Sequence, residues 1–185
     1  RFPKTREQRW HNFDLLKKLK KDEMVKLISD SLPVKAGKIR IHVAGDYFSQ
    51  VYFDAWLQVA KQNPNKIFYG YTKSLQYWIN RLDSMPDNFI LTASKGGKLD
   101  SLIAQHKLRF AEVVFTIEKA KELGLEIDHD DSHAFTKGKS FALLIHGTQP
   151  PKSEASKAKE ANEQKGIMGY SREKKGRVIT NADYS

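Results

Sequence analysis

The chain has no cysteine. That absence excludes disulfides, thiolate zinc sites, a cysteine nucleophile and any iron–sulfur cluster ligated by these residues, so the fold must rest on its core. Long apolar runs are missing as well. No stretch approaches the roughly 18 apolar residues of a membrane-spanning helix, and Arg1-Phe2-Pro3-Lys4 lacks the apolar segment of a signal peptide. A cytoplasmic protein with no membrane partner is expected. The first residue is Arg rather than Met, so a further segment is expected upstream.

Acidic residues are in short supply: 22 Asp plus Glu against 32 Lys plus Arg give a formal charge of +10. The excess is uneven. Residues 1–38 hold 11 basic and 5 acidic side chains, residues 152–185 hold 8 and 5, and the stretch between them is nearly balanced at 13 and 12. Basic ends on a neutral body point to a polyanionic partner, nucleic acid above all, met through Lys17, Lys18, Lys20, Lys21, Lys174, Lys175 and Arg177. Solvated lysine-rich ends with no partner are the plainer alternative. The segment after Lys152 has few residues to bury and reads as an extended basic arm.

Thr5-Arg6-Glu7-Gln8 has the spacing of a capping box and opens a helix through Trp10, Phe13, Leu16 and Leu19; a second helix starts at Asp22 and stops before Pro33. From Lys38 the period changes to two, with Ile39, Ile41 and Val43 alternating with Arg40 and His42. Helix 50–62 follows, then strand Ile67 to Thr72, helix Ser74 to Leu82, strand Phe89 to Ala93, helix Lys98 to His106, strand Ala111 to Phe115, helix Ile117 to Leu123 and strand Phe141 to His146. The alternation predicts an α/β fold: a partial β/α barrel or an open parallel sheet of about five strands. Residues 1–38 are read as N-terminal basic helices packing on the core, 39–150 as the α/β core and 151–185 as the extended tail.

In either architecture ligands gather at the carboxyl ends of the strands. Those ends carry Gly45-Asp46, Lys73-Ser74, Ser94-Lys95-Gly96-Gly97 and His146-Gly147-Thr148-Gln149. Small residues and exposed amides before a helix suit a phosphate or carboxylate. The predicted cofactor-binding set is therefore Gly45, Asp46, Lys73, Ser74, Ser94, Gly96, Gly97, Thr148 and Gln149, with His146 and Asp46 as the candidate catalytic groups. Tight turns and helix caps explain each loop equally well when it is taken alone. His42, inside a strand, reads as a buried hydrogen-bonded histidine. Tyr47 and Tyr71 are the candidate base-stackers, whereas Phe53, Trp56 and Trp78 read as core. Asp128, His129, Asp130, Asp131 and His133 form the densest run of oxygen and nitrogen ligands and could take a divalent metal, although the spacing matches no metal signature and a self-capping loop fits as well.

Taken in order, Ile39 to Ser49, Tyr69 to Ser74, Ser94 to Gly97, Asp128 to His133 and His146 to Gln149 resemble the phage and plasmid family called gene product 88-like, over most of residues 1–150. If phage-encoded, the protein acts in the host cell cytoplasm. Longer members of that family are similar in turn to radical S-adenosylmethionine enzymes. The resemblance implies that Gly45-Asp46 contacts the methionine amine of S-adenosylmethionine. An iron–sulfur cluster would require a cysteine segment upstream of Arg1, because this sequence holds none. The expectation is a phage-type protein with a nucleotide-like or adenosyl-type site at the strand ends, associated with nucleic acid and with no reaction assigned. A non-catalytic DNA- or RNA-binding protein is the first alternative and a metal-dependent hydrolase or nuclease the second.

Overall fold

The computed structural model describes residues 3–167. In chain order the elements are α1 (Pro3–Leu16), α2 (Lys21–Ser31), β1 (Lys38–Arg40), α3 (Gln50–Gln62), β2 (Ile67–Thr72), α4 (Leu75–Ile79), β3 (Phe89–Ser94), α5 (Ser101–Gln105), β4 (Phe110–Val114), α6 (Ile117–Glu122), β5 (Glu126–Ile127), β6 (Phe141–Leu144) and α7 (Glu154–Gln164). A 3-10 turn at Leu82–Ser84 follows α4. The strands form an open parallel sheet in the order β1-β2-β3-β4-β6-β5, and it does not close into a barrel. Of the two architectures left by the sequence, the open sheet is the one formed. It has six strands rather than five. The described residues divide into two compact units, the first ending at Leu91 and the second beginning at Thr92.

In the first unit, α2 buries Met24, Val25 and Ile28 and packs on α3, whose inner face contributes Phe53, Leu57, Val59 and Ala60. Ser49 caps α3, its hydroxyl accepting from the Tyr52 amide at 3.2 Å. β2 alternates as expected, with Phe68, Gly70 and Thr72 buried and Ile67, Tyr69 and Tyr71 half-buried. β1 is shorter than its apolar alternation suggests. After Arg40 the chain makes one more bond, Ile41 N–H to Tyr69 O at 2.7 Å, and then leaves the ladder, so Val43 is exposed. That departure lays the Ile41 carbonyl against Gly70, where a Cβ would sit 1.7 Å from the oxygen. Only a residue with no side chain fits at position 70. Asn88 gathers three carbonyls, of Ala60, Asn63 and Lys66, at 2.9–3.0 Å, and Lys66 Nζ holds those of Pro33, Val34 and Ala36 at 2.8–3.2 Å. α1 buries none of its residues and touches the unit through Phe13, whose ring meets Phe48 edge-on at 5.1 Å.

In the second unit, Val114, Ala120, Ile127, Ala142 and Leu144 form a core against which Ile117, Leu125 and Ile167 pack. β6 lies between β4 and β5, pairing parallel with both. β5 has two residues, too few for a periodic signal, and it went unread in the sequence. The larger correction concerns the described part of 151–185. The extended arm expected there is helical over Glu154–Gln164: Ser153 caps it by accepting from the Ser156 amide at 3.1 Å, and its Ala, Lys and Glu residues favour helix. Asn162 then anchors α7, its side-chain amide donating to the Phe115 carbonyl at 2.8 Å. The cations Lys174, Lys175 and Arg177 lie outside the described residues.

Gly70→Ala is expected to cost about 3 kcal/mol or to abolish cooperative unfolding, because the clash is with backbone. Gly138→Ala, whose Cβ would meet nothing within 4 Å, is the control and should shift the urea midpoint little.

Candidate functional site

The first unit brings Gly45, Asp46, Lys73 and Ser74 together. Gly45 takes φ +98, which turns the chain after β1 and aims the Asp46 carboxylate at the end of β2. One carboxylate oxygen accepts from the Tyr47 amide at 2.8 Å and the Thr72 hydroxyl at 2.6 Å; the other accepts from the amides of Lys73 at 2.7 Å and Ser74 at 3.2 Å. The Ser74 hydroxyl closes the circuit by donating to the Tyr47 carbonyl at 2.8 Å. Four donors fill the acceptor positions of a carboxylate. These bonds tie Asp46 to the turn before α4; they do not cap α3, the next helix, whose cap is Ser49. Lys73 contributes its backbone to this cluster.

Beside it lies a buried aromatic group. His42 shares a hydrogen bond between Nε2 and the Tyr52 hydroxyl at 2.9 Å, and its ring meets that of Tyr47 edge-on at 4.9 Å. Burial pushes the His42 pKa down to about 4, against the opposing pull of Asp46, so the imidazole is neutral near pH 7. Tyr47 is 3% exposed and cannot stack on a base; burial also drives its phenol pKa well up. Tyr71 is half-buried with the Arg40 guanidinium over its ring at 5.2 Å. Phe53 and Trp78 are core, as expected, and Trp56 is half-buried.

In the second unit the amides of Gly96 and Gly97 are used internally as well. Both donate to the Asp100 carboxylate, at 2.7 and 2.9 Å, so the chain's own carboxylate sits where a phosphate was expected. Lys95 pairs with Glu112 at 2.6 Å, and Ser94 ends β3 half-buried. His146 is half-buried and its Nδ1 lies 3.0 Å from the Leu144 carbonyl, which can only accept, so Nδ1 carries the proton. Gln149 donates to the His146 carbonyl at 2.6 Å, and Thr148 is exposed.

At Asp128, His129, Asp130, Asp131 and His133, where a metal was expected, the side chains are not grouped: among the described residues no three His, Cys, Asp or Glu side chains are placed together to hold a metal ion. The side chains turn into local bonds instead. Asp128, fully buried, accepts from the Asp130 amide at 3.3 Å and lies 3.5 Å from His133 Nδ1. Asp130 accepts from the Ser132 amide at 3.0 Å, and Asp131 makes a left-handed turn at φ +67. His133 Nε2 meets Glu126 at 3.1 Å, while Arg109 donates to the carbonyls of His133 and Thr136. Burial lowers the His129 pKa more than the nearby Asp128 and Asp130 raise it.

Of the expected nucleic-acid contacts, Lys17, Lys18, Lys20 and Lys21 are exposed at the end of α1 and the start of α2. Lys17 also pairs with Asp14 at 2.5 Å, an exposed contact worth little. Sequence reasoning missed Trp10, which falls in the apolar periodicity of α1 yet is 57% exposed between the exposed Arg6 and Arg9 and its edge contact with Phe13. Its arginine neighbours were the available signal.

The residues present do not fit the cofactors implied by the radical-enzyme resemblance. The chain has no cysteine to hold a cluster, and the acceptor expected to take the S-adenosylmethionine amine is saturated by Tyr47, Thr72, Lys73 and Ser74. Fold and local chemistry define an α/β protein with an open parallel sheet whose strand-end acidic side chains cap its own turns. A family model described as "Gene product 88" matches residues 1–165, and the chain belongs to that phage gene product family. It is similar to the Gene 88 protein of Mycobacterium phage L5, with 29% identity over 141 residues that cover 62% of this chain and 59% of that relative. The chain thus spans less than two thirds of that relative's length. No solved structure matches it. Among the described residues no helix is long and apolar enough to cross a membrane.

Asp46→Ala is expected to destabilise the protein by roughly 3 kcal/mol in thermal or urea melts, since it strands three backbone amides and a hydroxyl. Asp46→Asn should not rescue it, because whichever side its amide nitrogen faces, it meets donors. His42 gives a pH test. Its folded pKa of about 4 lies below the ordinary 6.5, so the unfolded chain binds more protons between those values. Stability from this residue is complete above pH 6.5 and is lost as pH falls towards 4, by roughly 3 kcal/mol in all. An imidazole resonance absent from His42→Asn should titrate near pH 4; a midpoint above 6 would contradict the buried neutral ring.

Proposed function

We propose that the protein binds nucleic acid, in the host cell cytoplasm, through α1 and the start of α2, without catalysing a reaction. The observation that carries this reading is a helix that buries nothing while presenting Arg6, Arg9 and exposed Trp10, continued by Lys17, Lys18, Lys20 and Lys21. A helix of 14 residues with no buried face is marginal in water and gains stability from a partner that covers it. Cations neutralise phosphates and an exposed indole stacks on unpaired bases, which fits a polyanion with accessible bases. The nucleotide or adenosyl-type ligand at the strand ends has the weaker support: it rests on the sequence motifs, while the Asp46 carboxylate and the Gly96 and Gly97 amides are already bonded within the chain.

Fluorescence anisotropy with labelled single-stranded and duplex DNA and RNA tests the proposal. Affinity should fall steeply with salt, at a log–log slope of about 0.7–0.9 per phosphate contacted. Neutralising Lys17, Lys18, Lys20 and Lys21 to Gln should weaken binding at least about tenfold and flatten that slope. Trp10→Ala should cost about 1–3 kcal/mol on single strands and less on duplex. No binding at low salt by the unaltered protein would end this reading.

A further inference from the structure

A cleft of about 230 Å3 opens in the first unit where the first residue of α2, the outer face of α3 and the 3-10 turn meet. Its polar lining is Lys21, Asp54, Gln58, Lys61, Arg81 and Ser84. Helical spacing explains the arrangement: Gln50, Asp54, Gln58 and Lys61 recur at three- and four-residue steps, so α3 turns one polar stripe outward while Phe53, Leu57 and Ala60 face the core. None of the cofactor, metal or catalytic residues expected from the sequence lies here.

The charges are not interchangeable. Arg81 is clamped by Asp54, with Nε at 2.8 Å from one carboxylate oxygen and an Nη at 2.7 Å from the other, while the remaining Nη donates to the Asn80 carbonyl at 2.8 Å. Gln50 donates to the same Asp54 at 2.9 Å. The one acid of the lining is therefore committed to Arg81, whose pKa it holds up, and the guanidinium is fixed in orientation with N–H groups to spare. The side-chain ammonium groups of Lys21 and Lys61 make no hydrogen bond or ion pair among the described residues. Two unpaired ammonium groups, an oriented guanidinium and the neutral amide donor of Gln58 are the chemistry of a tetrahedral anion, while the Ser84 hydroxyl donates to the Arg81 carbonyl at 3.2 Å and helps hold that residue in place. Size narrows the choice. At about 230 Å3 the cleft is smaller than the roughly 300–1,000 Å3 that encloses a drug-sized ligand, so it takes a group of a larger partner rather than a whole nucleotide.

We propose that this cleft seats a backbone phosphate of the bound nucleic acid. The inference rests on the nucleic-acid reading and extends it from the exposed α1 to a defined subsite, with Lys21 belonging to both surfaces. Lys61, Gln58 and Arg81 then act together with the lysines of residues 17–21.

The experiment compares salt slopes for a fluorescein-labelled oligonucleotide lacking a terminal phosphate. Lys21→Gln/Lys61→Gln should weaken binding several-fold and reduce the log–log slope by about one to two. Lys107→Gln/Lys139→Gln, which removes equal charge from the second unit, should leave the slope unchanged. Far-UV circular dichroism checks that each variant is folded. If the unaltered protein binds and the cleft variant keeps its slope, the cleft assignment is overturned while the broader reading stands. Where the unaltered protein fails to bind at low salt, both are overturned. A third arm separates the phosphate source: if inorganic phosphate or a mononucleotide binds the unaltered protein and is lost in the cleft variant while the oligonucleotide slope does not move, the site takes free anions and the proposal is overturned.

Discussion

A backbone amide at the end of a parallel strand has left its ladder and must find another acceptor. In this protein the acceptors are the chain's own carboxylates. Asp46 collects the amides of Tyr47, Lys73 and Ser74 together with the Thr72 hydroxyl, and so ties the turn after β1 to the turn after β2. Asp100 does the same for Gly96 and Gly97, and Asp128 and Asp130 for the loop that leads towards β6. Where the donor is shielded from water, as at Thr72, such a bond satisfies a group that would otherwise lie unpaired, which is worth more than the net gain of an ordinary surface contact.

The acids and bases of the chain are used differently in its different stretches. The stretch from 39 to 151 is close to neutral, and several of its aspartates face inward to amides rather than outward to cations. Asp54 is spent on Arg81. The cations of residues 1–38 have fewer acids to meet, and those they have are exposed partners such as Asp14 for Lys17 and Asp30 for Lys26. An exposed pair contributes little and yields readily to a stronger polyanion. The positive surface near the amino end follows from the 11 basic against 5 acidic side chains of residues 1–38.

Much of the fold was legible. Helix 50–62 and strand Ile67 to Thr72 match the structure residue for residue, because strong apolar periodicity, Ser49 at one end and Asn63-Pro64 at the other all agree. Helix ends elsewhere were less clear: Ser74 to Leu82 breaks at Asn80, and Lys98 to His106 shrinks to Ser101–Gln105 once Asp100 takes the amides before it. α7 was missed because a segment rich in Lys, Glu and Ala carries no apolar stripe, and what fixes it is Asn162 reaching Phe115 across 47 residues.

The candidate site divides along the same line. Sequence alone determined the family motifs, the parallel α/β class, the absence of any thiol chemistry and the concentration of positive charge near the amino end. Only the tertiary structure decided which groups already have partners. Asp46 meets Thr72, Lys73 and Ser74 at separations of 26–28 residues, and Trp10 stays in solvent although its spacing suits a core. Periodicity specifies which face of an element a residue lies on, whereas a hydrogen bond needs two atoms within about 3 Å, and that distance is set by how distant segments cross.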